Sequence, residues 1–374
     1  MKLLLATGLY PPEIGGPATY AAMLEQELPR HGIEVVVVPF GLVRRWPKII
    51  RHLIYAARLW RRATSADALY ALDAVSVGLP TLLISRVLRK PFLLRVGGDY
   101  AWEQGRLRFG LRDTLDAYLD SEIPAPLPVR LLARLQSYVA RRAFRVVVPS
   151  HYLKGVVQKW GVPAEQITVI YSALFPLVVE GTREELRTQL SYTEPTIVSA
   201  GRLVPWKGFR TLIDVVATLR STHRNITLVI VGDGEERPAL EAQVAKLNLG
   251  AHVRFTGTIS KAALGAAIKA ADVFVLNTAY EGLSHQLLEV MDLGTPIVTT
   301  TAGGNGELIT DGVHGLLVPF NNEAALQQAI LRIVGNQEIK QHLTQSARAR
   351  SKEFTQEVVV EQLLNLFADT KDGT

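Results

Sequence analysis

Cysteine is absent from this chain. Disulfides, thiolate metal sites and cysteine nucleophiles are excluded with it, and the absence fits a reducing, cytoplasmic compartment. Long apolar runs are missing too, because charges interrupt every hydrophobic stretch before it reaches the length of a membrane-crossing helix. The opening "MKLLLATGLYPPE" has the single lysine and brief apolar core of a short signal peptide, but no small-residue cleavage site follows. It reads as a first buried strand. The eight histidines show no metal-ligand spacing, and no D-x-D stands after a strand, so no metal is expected. No G-x-G-x-x-G follows a strand either, which excludes the dinucleotide fingerprint. Low-complexity tracts and short repeats are also absent.

What is present is an ordinary globular composition, 48% apolar and 20% charged over 374 residues. That is enough chain for two domains at about 150 residues each. Short, continuous, β-rich apolar runs alternate with helical patterns. In the first half they are "KLLLATG", "EVVVVPF", "ALYAL", "PFLLRVG", "RVVVPS" and "ITVIY". In the second half they are "TIVSAG", "ITLVIVGDG", "VRFTG", "VFVLNT", "PIVTTT" and "HGLLVP". Runs without polar alternation suit parallel strands covered on both faces. Between them, "KGFRTLIDVVATLR" places Phe209, Leu212, Ile213, Val216 and Leu219 on one helical face. The alternation predicts α/β architecture with two doubly wound parallel sheets. The two sets of strands divide near residues 172–195, where "SALFPLVVEGTREELRTQLSYTEP" breaks the rhythm and reads as a linker. Two Rossmann-like domains follow, at 1–175 and 190–353. A C-terminal amphipathic helix, about 354–374, is expected to pack back on the first.

Candidate site residues fall at strand ends, where open parallel sheets bind ligands. After "VFVLNT" comes "AYEGLS" and then the helix "HQLLEVMDLG". The N–H groups of Gly282, Leu283 and Ser284 head that helix, whose positive end attracts an anion. Glu281 in the loop could accept hydrogen bonds from ligand hydroxyls, and Glu289, inside the helix, could take a ribose diol. A solvated loop acid and an exposed helix acid are the plain alternative; the pair framing one helix start favours the ligand reading. "SAGRLVPWKGF" sets Arg202 and Lys207 five residues apart around a turn, which suits a diphosphate as well as it suits a solvated basic loop. Trp206 between them reads as packing. "VGDGEE" supplies Gly232, Asp233 and Gly234, a pattern that a simple turn also explains. Gly15 and Gly16 precede the first helix, where backbone can approach a phosphate or sugar, or merely turn. "GGNGE" at 303–307 carries the same two readings. Asp99 in "RVGGDYAWEQ" either meets a hydroxyl or caps a helix.

The motifs together resemble the retaining glycosyltransferases of the GT-B fold, family-four type, over nearly the whole chain. The resemblance rests on "PPEIGGPATY", "GRLVPWKGF", "VGDGEE", "FTG", the E-x7-E pair Glu281 and Glu289, and "GTPIVTTTAGGNGELITDGVHGLLVP". It implies two facing Rossmann-like domains with a cleft between them, the first for the acceptor and the second for the nucleotide sugar. It implies Glu289 on the ribose, Glu281 on the hydroxyls of the transferred sugar, and Arg202 and Lys207 on the diphosphate. Backbone at 282–284 and at Gly15-Gly16 would assist, with Thr258 and Ile259 against the base. Three departures stand out. Asp99 occupies the segment where relatives often carry a histidine, "EGLSH" replaces "EGFG" or "EGFP", and "YSALF" replaces "NGVD".

The implied reaction moves a sugar from a nucleotide-diphosphate donor to an acceptor hydroxyl with retained anomeric configuration. The donor is a substrate and no cofactor is expected. No protein nucleophile is obvious, and the leaving diphosphate accepts the acceptor's proton on the same face. The acceptor would be a glycan or a polyprenyl-linked molecule, in cell-surface glycan or lipid-linked oligosaccharide synthesis. An epimerase or phosphorylase on the same fold, or a non-catalytic nucleotide-sugar-binding module, are the rivals.

The net charge of +6 is uneven: from Leu42 to Ala63 there are seven Lys/Arg and no acid. In the helix from roughly Lys48 to Arg62, Ile50, Leu53, Ile54 and Ala57 share a face flanked by arginines. That pattern reads as a core face with a solvated basic side. The sharper alternative is that residues 44–62, through Arg44, Arg45, Arg51, Arg58, Arg61 and Arg62, touch anionic lipid at the cytoplasmic face of a membrane. Nucleic acid is not expected, since only Trp46 and Trp60 interleave the charges.

Overall fold

A computed structural model describes residues 1–13, 15–192, 195–221 and 225–372. Position 14 of the first glycine loop, positions 193–194 of the stretch read as a linker and the last two positions of the C-terminal helix lie outside the described residues. The chain forms two compact units, Met1–Ala173 with Gln356–Thr374, and Leu174–Thr355.

Every apolar run named above is a strand. In the first unit these are β1 (Lys2–Thr7), β2 (Glu34–Pro39), β3 (Ala68–Ala71), β4 (Phe92–Arg95), β5 (Arg145–Val148) and β6 (Ile167–Val169). In the second they are β7 (Thr196–Ala200), β8 (Thr227–Val231), β9 (Val253–Gly257), β10 (Val273–Leu276), β11 (Ile297–Thr300) and β12 (Leu316–Val318). Each set forms one parallel sheet, ordered β2-β1-β3-β4-β5-β6 and β12-β11-β10-β7-β8-β9. Helices cover both faces, so residues of both side-chain parities are buried: β1 hides Leu3, Leu4 and Leu5, and β7 hides Ile197 and Val198. The five apolar residues of helix Phe209–Leu219 chosen from periodicity are all buried in the core of the second unit.

The strand order reverses between β1 and β3 in the first sheet and between β7 and β10 in the second. At such a point the loops after two neighbouring strands run to opposite faces and leave a crevice at the carboxyl edge. Topology alone therefore selects the loops after β7 and β10, and those after β1 and β3, as places where ligands fit.

Two expectations change. The stretch read as a linker contains the helix Arg183–Leu190, headed by a capping box between Thr182 and Glu185. It is held to the second unit by Arg183 and Arg187, which both pair with Asp272. The break in strand rhythm was real, but it marks a helix that starts the second unit.

The second change concerns the basic helix. With α1 as Gly16–Glu27, this is α2, Lys48–Ala63. Its buried positions are Tyr55, Leu59 and Ala63, whereas Ile50, Leu53 and Ala57 are exposed. The face assigned to the core points outward, because Tyr55 donates its hydroxyl to the Val38 carbonyl and packs edge-on against Phe40. Arg44 is also not available as a loose cation: it pairs with Glu13 and donates to the Gly8 carbonyl at 2.8 Å.

The C-terminal helix Gln356–Asp372 buries Val359, Val360, Leu363 and Phe367, and the Phe367 ring meets Tyr70 of β3 edge-on.

Candidate functional site

The second unit brings most of the predicted residues to one edge of one sheet. The loop after β7 carries Arg202 and Lys207; the loop after β10 carries Glu281 and Gly282–Ser284. Lys207 and Glu281 form an ion pair, with each side chain about one-sixth exposed. A salt bridge joining these two loops spans the point where the strand order reverses. Arg202 is exposed, and its guanidinium lies over the ring of buried Trp206, 5.5 Å from the centroid. Trp206 is thus both packing and a platform for the cation.

The two loops are locked to each other below this pair. Thr278 donates its hydroxyl to the Trp206 carbonyl at 3.2 Å, and the Ala279 N–H reaches the same oxygen at 2.8 Å. Asn277 donates to the Gly208 carbonyl at 3.0 Å. The Gly304 N–H donates to the Glu281 carbonyl at 3.0 Å, so the loop after β11 is fastened as well. Gly303 makes that approach possible. Its φ is +60°, and a Cβ there would stand 1.9 Å from the Glu281 carbonyl oxygen. Such fixed loops need little rearrangement when charge arrives between them.

Helix His285–Leu293 starts at this edge. Ser284 is its N-cap, with the hydroxyl accepting from the Leu287 N–H at 3.3 Å. Gly282, Leu283 and Ser284 are buried. Glu289 lies within the helix and is largely buried, and loss of hydration pushes its carboxyl up to about 7, only partly opposed by Lys261. An ordinary solvent-facing glutamate has no such shift.

The remaining donor-side residues come from neighbouring loops of the same sheet. Gly232 follows β8 with its N–H on the Gly257 carbonyl at 3.0 Å, and a Cβ at Gly232 would overlap the Gly201 carbonyl at 2.0 Å. This glycine brings the loops after β7, β8 and β9 together. Asp233 is exposed; it accepts from the Gly234 N–H and pairs with Arg237. Thr258 and Ile259 follow β9, the first exposed and the second half-buried.

Gly15, Gly16 and Asp99 belong to the first unit. Gly15 is the N-cap of α1 and Gly16 its first residue. The loop ahead of them is braced by the Glu13–Arg44 pair. Asp99 is fully buried at the N-cap of a helix at Tyr100–Arg108. One oxygen accepts from the Trp102 N–H at 2.9 Å and the other from the Trp160 indole at 3.1 Å. Burial pushes its carboxyl up. This is the capping alternative: both carboxylate oxygens are taken by Trp102 and Trp160 inside the first unit.

One acid at the first switch point was passed over. Asp73 follows β3, and one of its oxygens accepts from the N–H groups of Val75, Ser76 and Val77 at 3.0, 2.5 and 3.3 Å. Its other oxygen faces Gly8, where a Cβ would stand 2.8 Å away. The available signal was an aspartate directly after a short apolar strand, identical in kind to the one that singled out Asp99.

Among the described residues no group of three or more His, Asp or Glu side chains could hold a metal ion. No helix among them is long and apolar enough to cross a membrane.

Comparison with known proteins follows the two units. Residues 14–174 match the family described as Glycosyltransferase Family 4, and residues 182–350 match Glycosyl transferases group 1. The lipopolysaccharide core biosynthesis glycosyltransferase LpsE of Rhizobium meliloti is 33% identical over 175 residues, 46% of this chain and 50% of that one. The matched region thus spans half the length of that relative. Alpha-D-kanosaminyltransferase of Streptomyces kanamyceticus is 25% identical across 82% of this chain and 78% of its own. Among solved structures, Anabaena Alr3699/HepE in complex with UDP-glucose superposes with a TM-score of 0.78 at 22% identity, covering 99% of this chain and 100% of that one. At that identity the likeness is one of fold.

Proposed function

We propose, from the premise that this chain belongs to the GT-B glycosyltransferases of the family-four type, that it transfers a sugar from a nucleoside diphosphate to an acceptor hydroxyl with retention of anomeric configuration. The observation that carries the reading is the Lys207–Glu281 pair joining the two loops at the switch point of the second sheet. Lys207 and Glu281 neutralise each other. A bound donor would divide them, Lys207 turning to the diphosphate and Glu281 accepting from hydroxyls of the transferred sugar. Arg202 supplies a second cation, and the N–H groups at 282–284 supply a helix N-terminus for the same phosphates. Glu289, as a carboxylate, accepts from both ribose hydroxyls, and Thr258-Ile259 lie beside the base.

The chemistry asked of these groups is stabilisation of the departing diphosphate. As the glycosidic bond breaks, negative charge grows on the phosphate oxygens, and two fixed cations gain more there than in the ground state. The same oxygens take the proton of the acceptor hydroxyl on the face that the leaving group vacates, which retains configuration without a protein nucleophile. Arg202 and Lys207 do the work that a divalent cation would otherwise do, so turnover should be unchanged by a chelator. The acceptor is a glycan or a polyprenyl-linked molecule.

UDP-sugars are the first donors to try, because a structural neighbour was solved with UDP-glucose. A thermal-shift screen against UDP-, GDP- and ADP-sugars should single out one base, since a ligand at about 100 times its Kd stabilises by ~2.7 kcal/mol. With that donor, proton NMR of the product should show an α-linkage from an α-donor. A β-linked product would remove the retaining mechanism, and no shift with any nucleotide sugar would remove the donor site.

A further inference from the structure

The face of α2 opposite its attachment to the first unit is largely apolar, with one cation, Arg61, in its last turn. Looking down the helix, Tyr55, Leu59 and Ala63 mark the buried pole, and Ile50, Leu53 and Ala57 mark the pole farthest from it. Surface helices ordinarily carry charge at that pole. Here Leu53 is 67% exposed, Ile50 45% and Trp60 42%, and just ahead of the helix Leu42 is 57% and Trp46 43% exposed. The next helix, α3 (Leu79–Leu88), packs beside α2 and exposes Leu83 and Val87. Hydrophobic side chains this numerous on adjoining helices exceed the scattered single residues of an ordinary surface.

Charge identifies what covers this face. Arg45, Arg58, Arg61 and Arg62 are exposed around the apolar residues, and Arg86 and Arg89 are exposed on and just after α3. The segment from Leu42 to Ala63 contains no acid to oppose them. A like copy of the same face would bring arginines against arginines, whereas a surface of phosphates with hydrocarbon beneath it satisfies both groups. Tryptophans at the margins, with an apolar ring and a polar N–H, suit the boundary between the two.

We propose that α2, with the exposed edge of α3, is an interfacial anchor. It lies in the plane of an anionic bilayer, with Ile50, Leu53 and Trp60 entering the acyl boundary and the arginines at the phosphates. The inference differs from a purely electrostatic contact because it requires apolar insertion. It stands independently of the donor site, since it concerns only the first unit.

The full-length protein should be tested by co-sedimentation with phosphatidylcholine vesicles, with and without phosphatidylglycerol, at low and high salt. Binding should need the anionic lipid and should weaken with salt, and tryptophan emission should shift to the blue as Trp46 and Trp60 leave water. Leu53→Asp should weaken binding about tenfold or more, the scale of one leucine kept in water. The combined Arg58→Glu and Arg62→Glu variant should lose the preference for anionic lipid. Both changes are at exposed positions, so unchanged melting and an unchanged donor thermal shift would show that the fold and donor site survive. No binding of the wild type to anionic vesicles at low salt overturns the proposal, as does Leu53→Asp binding like the wild type. A wild-type dimer that Leu53→Asp converts to a monomer also overturns it, by showing that a second copy covers the face.

Discussion

Each sheet has a switch point at its own carboxyl edge, and the two are furnished differently. In the second unit, cations and acids from separate loops meet, and backbone and side-chain bonds tie the loops after β7, β10 and β11 into one frame. In the first, the loop after β1 is braced by one ion pair, and the acid after β3 is held by three N–H groups of its own turn. A preorganised charged frame suits a group of fixed shape on which negative charge develops, as it does on a departing diphosphate. A locally closed turn beside a glycine leaves more to be decided by what binds.

That contrast breaks most directly at Lys207. Lys207→Ala should lower kcat roughly 10²–10³-fold, about 3–4 kcal/mol, because it deletes one preorganised donor to the growing charge. Steady-state transfer assays would measure it, and turnover near that of the wild type would remove the second switch point as the seat of chemistry.

Glu289 sharpens the comparison through pH. Its carboxyl stands at about 7 in the fold against an ordinary value of 4.5. With a raised folded value, the stabilisation is fully present below about 4.5 and is lost as pH rises to about 7. The loss amounts to roughly 3 kcal/mol. Ligand-free Glu289→Gln should therefore melt higher than the wild type at pH 8 and alike at pH 4. Donor binding should show the opposite dependence, since ribose hydroxyls held by Glu289 would need the ionised acceptor. Wild-type affinity should rise through about pH 7, and Glu289→Gln should lose roughly tenfold or more in Kd without that rise. Calorimetric titration across pH would measure both. An unchanged Kd in the variant would take Glu289 out of the site.

The smallest effect belongs to the first unit. Asp99→Asn keeps a capping oxygen for Trp102 but turns an amide N–H toward the Trp160 indole N–H, so it should cost about 1–3 kcal/mol in stability and leave turnover per folded molecule within about twofold. Melting curves and active-fraction-corrected rates separate the two. A loss resembling that of Lys207→Ala would restore Asp99 to the chemistry.

Asp99 and Glu281 show where reading the chain stops. Each is an acid in a loop after an apolar strand, and nothing local distinguishes them. One is swallowed as a cap because Trp102 and Trp160 close over it. The other stays at an edge because its loop reaches Lys207 across the switch. Arg202 and Lys207 stand out in the sequence only as two cations after one strand, a pattern that suits a solvated loop equally well; the structure adds the Lys207–Glu281 pair and the Trp206 ring under Arg202. The tether of Arg44 to Glu13 was not legible, because the partners are far apart in sequence and meet only through β1 and β2.

The sequence by itself determined the strands named above and the division into two sheets, because a parallel strand buried on both faces must be continuously apolar. It also determined which residues share a face of α2, because helical period is a local property. Which face is covered was decided only in three dimensions, where Tyr55 found the Val38 carbonyl and left Leu53 in the open. Strand order likewise belongs to the tertiary structure. It alone brings the loops after β7 and β10 side by side, since pairing between distant segments is fixed by the packing of the whole sheet.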